Sequence, residues 1–193
     1  MTILLYDDSE IMRDARLRYW QANEFGDDGG YNKKWEVVKV GPIPLPVRNV
    51  EGRKQAIRFH DIHHLVTGYD TDLVGEGEIS AWELAAGCGN QWFAWVIDMQ
   101  GLLMSLAHPK RSLHAWARGR QSKSLYGEEF SESMLDMSVG EMRQKLALDQ
   151  PRPDPSAGDV LSWLAWIGVS FFGHLGGIVL CGYAAWWLIR SVF

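Results

Sequence analysis

The chain has 193 residues, with 19 Lys and Arg against 24 Asp and Glu and a formal net charge of −5. That length suits one domain of about 150 residues plus an appendage, and an acidic balance without a Lys/Arg stripe argues against a nucleic-acid partner. Cys88 and Cys181 lie too far apart in the chain to suggest a disulfide framework, which points to a reducing compartment. The N-terminus, acidic and without a basic residue before Arg13, reads as neither a signal peptide nor an Arg-rich transit peptide.

In chain order the pattern is mostly helical. Ser9 is placed to cap a helix through about Asn23, with Ile11, Ala15 and Trp20 on its apolar face. Gly26 to Gly30 is a turn cluster, 35–40 alternates weakly as one short strand, and 41–46 reads as an extended apolar arm. Asn49 is expected to cap a helix to about Val66, followed by a turn over 67–72 and a second helix from near Glu76 to Ala86. From Gln91 to Ala107 the chain is apolar almost all round, as in a central core helix or the wall of a lipid pocket lined by Met99, Leu102, Leu103, Met104 and Leu106. Arg111, Arg118 and Arg120 read as a solvated loop cluster. Ser138 with Glu141 makes a capping box for a last helix to about Leu148. The fold class expected is all-α: a compact multi-helix domain over 1–149 with a short β element near 35–40.

The motif that carries chemistry lies in the first of the two central helices. His60, Asp61 and His64, with Glu76 twelve positions after His64, form an H-D-x-x-H-x11-E pattern. Average residue usage yields it by chance in less than about one such chain in a thousand. On a helix His60 and His64 are i and i+4 and stack on one face, with Asp61 beside it. Two imidazoles and two carboxylates suit a divalent metal: zinc first, with iron, manganese or cobalt also compatible. A zincin would carry Glu in place of Asp61, an HD phosphohydrolase would recruit a histidine upstream of His60, and a structural zinc site would use cysteine. His63 reads as a surface or supporting histidine, and Asp70 and Asp72 as turn residues that could also orient the ligand imidazoles.

At these residues the chain resembles the ubiquinone (coenzyme Q) biosynthesis protein 4 homologue family. The resemblance rests on Arg58-Phe59-His60-Asp61-Ile62-His63-His64-Leu65-Val66-Thr67-Gly68 and Leu73-Val74-Gly75-Glu76. It extends to Trp116-Ala117-Arg118-Gly119, Tyr126-Gly127-Glu128-Glu129-Phe130 and Met142-Arg143-Gln144-Lys145-Leu146, and so covers roughly 10–148. It implies a helical domain holding a divalent metal through His60, Asp61, His64 and Glu76, with no catalytic base assigned. The implied activity is oxidative decarboxylation of a polyprenylated hydroxybenzoate precursor, the ring carboxylate giving way to a hydroxyl. It also implies a role in organising other quinone biosynthesis enzymes. The rival readings are a non-catalytic prenyl-lipid scaffold and a metal-dependent hydrolase of lipid or phosphate esters.

The C-terminus departs from that family by addition. Three prolines within 150–158 read as a semi-rigid linker, and 159–193 as a transmembrane segment. No charge occurs from Val160 to Ile189. Trp163 and Trp166 at one end and Trp186 and Trp187 at the other resemble aromatic belts. A core helix, or a hairpin broken at 173–177, competes with this span. Gly173 and Gly177 offer a close-approach face for a second helix, and with it a homo-oligomer. The expected setting is a single-pass C-terminal anchor in membrane lipid, with the domain on the cytoplasmic face of a bacterial inner membrane.

Overall fold

The structure is a computed structural model that describes residues 6–40 and 43–192. Among these residues, besides two short 3-10 helices at Ser105–Ala107 and Glu132–Asp136, are seven α-helices and one hairpin: α1 (Met12–Ala22), β1 (Trp35–Val40), β2 (Ile43–Arg48), α2 (Glu51–Thr67), α3 (Leu73–Ala86), α4 (Trp92–Met104), α5 (Pro109–Gly119), α6 (Val139–Lys145) and α7 (Ala157–Val192). The domain is all-α in class, as its periodicity predicts. The short strand at 35–40 is present, and the arm after it is its antiparallel partner, pairing Trp35 with Arg48 and Val37 with Pro46. Pro44 and Pro46 are tolerated because a two-stranded ribbon consists only of edges.

Two expected caps are absent because tertiary bonds replace them. Ser9 folds back onto the Asp7 carboxylate, and α1 starts after Ile11, where Met12 N–H donates to the Met137 carbonyl. Asn49 donates to the carbonyls of Gly30, Tyr31 and Lys33, leaving Val50 at the start of α2. The Ser138–Glu141 capping box forms as expected.

The core is built by α3, with α4 and α5 packed closely against it. Contact is close because Gly101 in α4 and Gly119 in α5 lack side chains: a Cβ on the first would collide with Ser80, and on the second with the Trp82 carbonyl. Ile62, Leu65, Ile79, Trp82 and Leu102 are fully buried there, each stabilising the fold by about 1.5–3 kcal/mol. Residues 109–119, expected to be loop, form α5, and its arginines are engaged: Arg111 with Glu78, Arg118 with the Thr67 carbonyl, Arg120 with Asp159.

One long apolar C-terminal helix, α7, is long enough to cross a membrane. It begins at Ala157, within the stretch read as linker, and its first part packs on the domain. Trp163, read as a belt residue, is buried and donates from Nε1 to Ser112 Oγ (3.0 Å). Trp166 stacks on Trp95 with ring centroids 5.4 Å apart. Apart from half-buried His174, the side chains from Phe171 to Ser191 are exposed. These twenty-one residues rise about 31 Å, enough for a hydrocarbon core of about 30 Å.

Candidate metal centre

His60 and His64 sit one turn apart on α2, which stops at Gly68 in the left-handed conformation that glycine adopts without strain (φ 75°). The turn that follows closes on Asp72, whose carboxylate accepts from the Val74 and Gly75 N–H groups and starts α3. Gly75 packs so tightly on the Asp70 backbone that no Cβ fits. This turn delivers Glu76, in the first turn of α3, to the two histidines.

The three side chains converge. His60 Nε2 and His64 Nε2 are 3.1 Å apart; Glu76 lies 3.4 Å from the first and 3.5 Å from the second. Metal–ligand bonds of about 2.0–2.2 Å place neighbouring donors roughly 3.0–3.5 Å apart, so the spacing fits one divalent ion.

The opposite ring nitrogens fix which atoms face that point. His60 Nδ1 lies 3.0 and 3.1 Å from the two Glu83 oxygens, and His64 Nδ1 lies 3.0 Å from the Tyr69 carbonyl. A carbonyl only accepts, so His64 carries its proton on Nδ1, and the carboxylate makes the same demand of His60. Both Nε2 lone pairs are then left for a cation.

Asp61, the fourth expected ligand, stands outside this convergence. Its Oδ2 accepts from Trp20 Nε1 (2.9 Å) and Tyr31 Oη (2.5 Å). Burial raises its pKa despite these two bonds. It nevertheless lines the same cleft as His60 and Glu76. Asp70 and Asp72 do not orient the imidazoles: Asp70 accepts from Thr71 N–H and Asp72 caps α3. The orienting groups are the Tyr69 carbonyl and Glu83.

Glu83 and its neighbours escaped the sequence reading. The side chain is fully buried and also accepts from His63 Nδ1 (2.6 Å) and Tyr126 Oη (2.9 Å). Buried His63, its pKa lowered by desolvation, accepts at Nε2 from Leu125 N–H, which fixes its proton on Nδ1. Desolvation opposes charge on Glu83, but the facing imidazoles outweigh it and hold the carboxyl well below its ordinary range. Asp98 moves the other way, raised by burial and by the adjacent Glu83 carboxylate, and is therefore the protonated member of the pair. Two signals were available: Glu83 is seven residues beyond Glu76 on the same helix, and Asp98 is the one charge in the apolar run 91–107.

Desolvation lowers the proton affinity of His60, but Glu83 and Glu76 overcome it and raise the group well above its ordinary pKa. Burial likewise raises Glu76, yet His64 and His60 hold it well below the carboxylate range. The site thus favours positive charge between the imidazoles, the same demand that a divalent cation meets.

Two clefts meet at His60. One, of about 310 Å³, is mixed, with Asn49, Lys33, Arg53, Asp61 and Glu76 in its walls beside Tyr19, Phe25 and Val37. The other, of about 390 Å³, lies between α2 and α4 and is walled by Ala56, Ile57, Phe93, Ala94 and Ile97. Arg53, Ile57 and His60 belong to both. Of the residues expected to line a lipid pocket, Leu102 is in the core and Met104 lines a separate cavity of about 30 Å³. The face of α4 on the large cleft is one turn earlier.

Comparisons with family models, with curated proteins and with solved structures find no match to this chain.

Proposed function

We propose that the chain is a membrane-anchored, metal-dependent oxidative decarboxylase of a polyprenylated hydroxybenzoate, a step of ubiquinone biosynthesis. The observation that carries this reading is the meeting at His60, where three ligand atoms converge, of an apolar cleft and one whose walls hold charged and polar groups beside aromatic ones. An amphiphile with a charged aromatic head and a prenyl tail has that same division.

His60, His64 and Glu76 would hold the ion, zinc in first place, with Asp61 as fourth ligand through the oxygen not committed to Trp20 and Tyr31. A bound divalent ion would supply Lewis acidity at the head of the substrate. Arg53 and Lys33, the cations in the walls of the mixed cleft beside Glu24, Asp61 and Glu76, would orient the ring carboxylate. Ile57, Phe93 and Ile97 take the first isoprene units and keep water from the ring. In the overall reaction the ring–carboxyl bond breaks and carbon dioxide leaves. One atom of dioxygen becomes the hydroxyl, and two electrons from an external reductant, with two protons, take the other atom to water.

The exposed stretch 171–191 would span the bilayer, with the domain on the cytoplasmic side of a bacterial inner membrane; the free, buried Cys88 of the domain suits that reducing side. The scaffold reading, with docking of other quinone biosynthesis enzymes, draws on the bridging of α2 to α3 by His60, Glu76 and Glu83. Against a purely bracing metal stands the 43% exposure of the Glu76 side chain, which keeps the site open.

The test is conversion of a polyprenyl hydroxybenzoate by the detergent-purified full chain, with metal content measured on the same sample. Oxygen-dependent loss of the carboxyl group, abolished in His64→Ala, is the expected result. A folded, metal-loaded protein that leaves the precursor intact overturns the enzyme reading in favour of the scaffold. Ester cleavage without oxygen would make it a hydrolase.

A further inference from the structure

We propose that the outer face of α4 lies in the interfacial layer of the bilayer and opens the apolar cleft directly to lipid. This rests on α7 crossing that bilayer.

Going round α4, Ala94, Asp98 and Leu102 face the core, and Trp95 faces α7. Phe93 and Ile97 line the cleft. What remains is an exposed arc of Trp92 (62%), Val96 (49%) and Met104 (47%), continued by Leu106 (40%). Gln100 is the one polar side chain exposed in it, and the only charge in the helix, Asp98, points inward. The hairpin contributes Val47 to the cleft wall and exposes Trp35 (60%) and Val37 (57%) on its other face, where Val37 lines the mixed cleft. Water is a poor solvent for such an arc, and large apolar patches of this kind mark interaction surfaces.

The anchor helix indicates which partner covers it. Both ends of α4 connect to the same turn of α7. Trp95 stacks on Trp166 near one end. Just past the other, Ser105 donates to Ser112, which also accepts from Trp163 Nε1. The exposed part of α7 begins at Phe171, five residues beyond Trp166, or about 7 Å of rise. α4 therefore runs across α7 at the level where α7 leaves the domain. Its thirteen residues, about 20 Å, are too short to span a bilayer but suit a helix lying in its plane. Trp92, exposed at the start of α4, has the amphipathic ring that favours this depth. The arc is continuous from the anchor helix to the mouth of the cleft. A prenyl lipid would reach His60 laterally, without its tail crossing water.

The test places a spin label in the full chain, in nanodiscs containing anionic phospholipid, and measures collision with oxygen and with a water-soluble nickel chelate. Native Cys181 reports the anchor; Val96→Cys in a Cys181→Ser background reports α4; Ser133→Cys is a control on an exposed turn of the domain. The expected result is oxygen-favoured collision at Val96, shallower than at Cys181, with chelate-favoured collision at Ser133. A water-exposed label at Val96 beside a lipid-exposed one at Cys181 overturns the α4 proposal and leaves the anchor standing. Water exposure at Cys181 overturns the anchor reading and this inference with it. A Val96 label shielded from both reagents means protein covers the face, a second copy first, and also refutes lipid contact.

Discussion

Glu83→Gln tests the part of the centre that the motif spacing left unassigned. Glu83 Oε1 receives His63 Nδ1 (2.6 Å), Tyr126 Oη (2.9 Å) and one contact from His60 Nδ1 (3.1 Å); Oε2 receives the other His60 contact (3.0 Å). Glutamine keeps a carbonyl oxygen at the Oε1 position, so the His63 and Tyr126 bonds survive. An amide nitrogen at the Oε2 position cannot accept from His60 Nδ1, which keeps only its Oε1 contact. What is lost is the charge behind His60. A hydrogen bond to a charged group contributes about 1.5–3 kcal/mol, against about 1 for a neutral one. Loss of such an orienting partner typically weakens metal binding about 10–100-fold, or roughly 1.4–2.8 kcal/mol. Alanine would be uninformative: three buried donors left bare at about 1–3 kcal/mol each approach the 5–15 kcal/mol that holds a domain together. The assay is competition with a chromogenic chelator on the full chain in detergent, with a thermal melt of the same sample. Glu83→Gln should bind metal about 10–100-fold more weakly while melting close to the parent. Parental affinity in a folded variant would refute the argument that His60 ligates through Nε2 because Glu83 holds Nδ1.

Arg53→Gln should raise the KM for the carboxylated precursor by about 10–100-fold, the loss of one charged hydrogen bond, with metal content unchanged; an unaltered KM would remove Arg53 from substrate binding. Asp159 accepts from Ser156 at the start of α7 and pairs with Arg120 at 2.8 Å. Although burial opposes its charge, the Ser156 bonds and Arg120 lower its pKa. Its stabilisation is therefore present above the ordinary carboxylate value and is lost as pH falls through the lowered one. Asp159→Asn should cost about 1 kcal/mol at pH 7 and flatten the acid limb of a stability–pH curve. Identical curves for variant and parent would refute this docking role.

How much of this was legible depended on whether the signal was local. His60 and His64 follow from helical spacing, and the arrival of Glu76 follows from a Gly68–Asp72 turn that glycine and a capping aspartate write plainly. Glu83 and Asp98 offered only their positions as a signal, because their function depends on which buried groups face them across helices, and an isolated carboxylate in an apolar run does not disclose its partner. Ser9 and Asn49 had good capping chemistry, but Met137 and the 30–33 carbonyls competed for the same groups and won. Hydropathy read α7 correctly as long and apolar. It could not distinguish Trp163, which meets Ser112, from Trp186, which meets no core, because protein and lipid present similar apolar surroundings to a side chain.

The charge balance explains why this constellation tolerates an apolar neighbour. In the proposed centre Glu76 and an ionised Asp61 would neutralise a divalent ion, and His60, neutral once it holds that ion, would form the wall shared with the apolar cleft. Glu83 adds one buried negative charge, but three donors surround it, so that charge is solvated by the protein rather than stranded. A second ionised carboxylate beside it would have no such compensation, since the contact to Asp98 on its other side is the weakly donating Cys88 thiol at 3.4 Å. Keeping Asp98 protonated resolves the conflict. The group that reaches the apolar cleft from α4 is then a carboxyl that burial and the adjacent Glu83 hold toward its neutral form. One side of His60 can therefore face a prenyl chain while the other faces a cation.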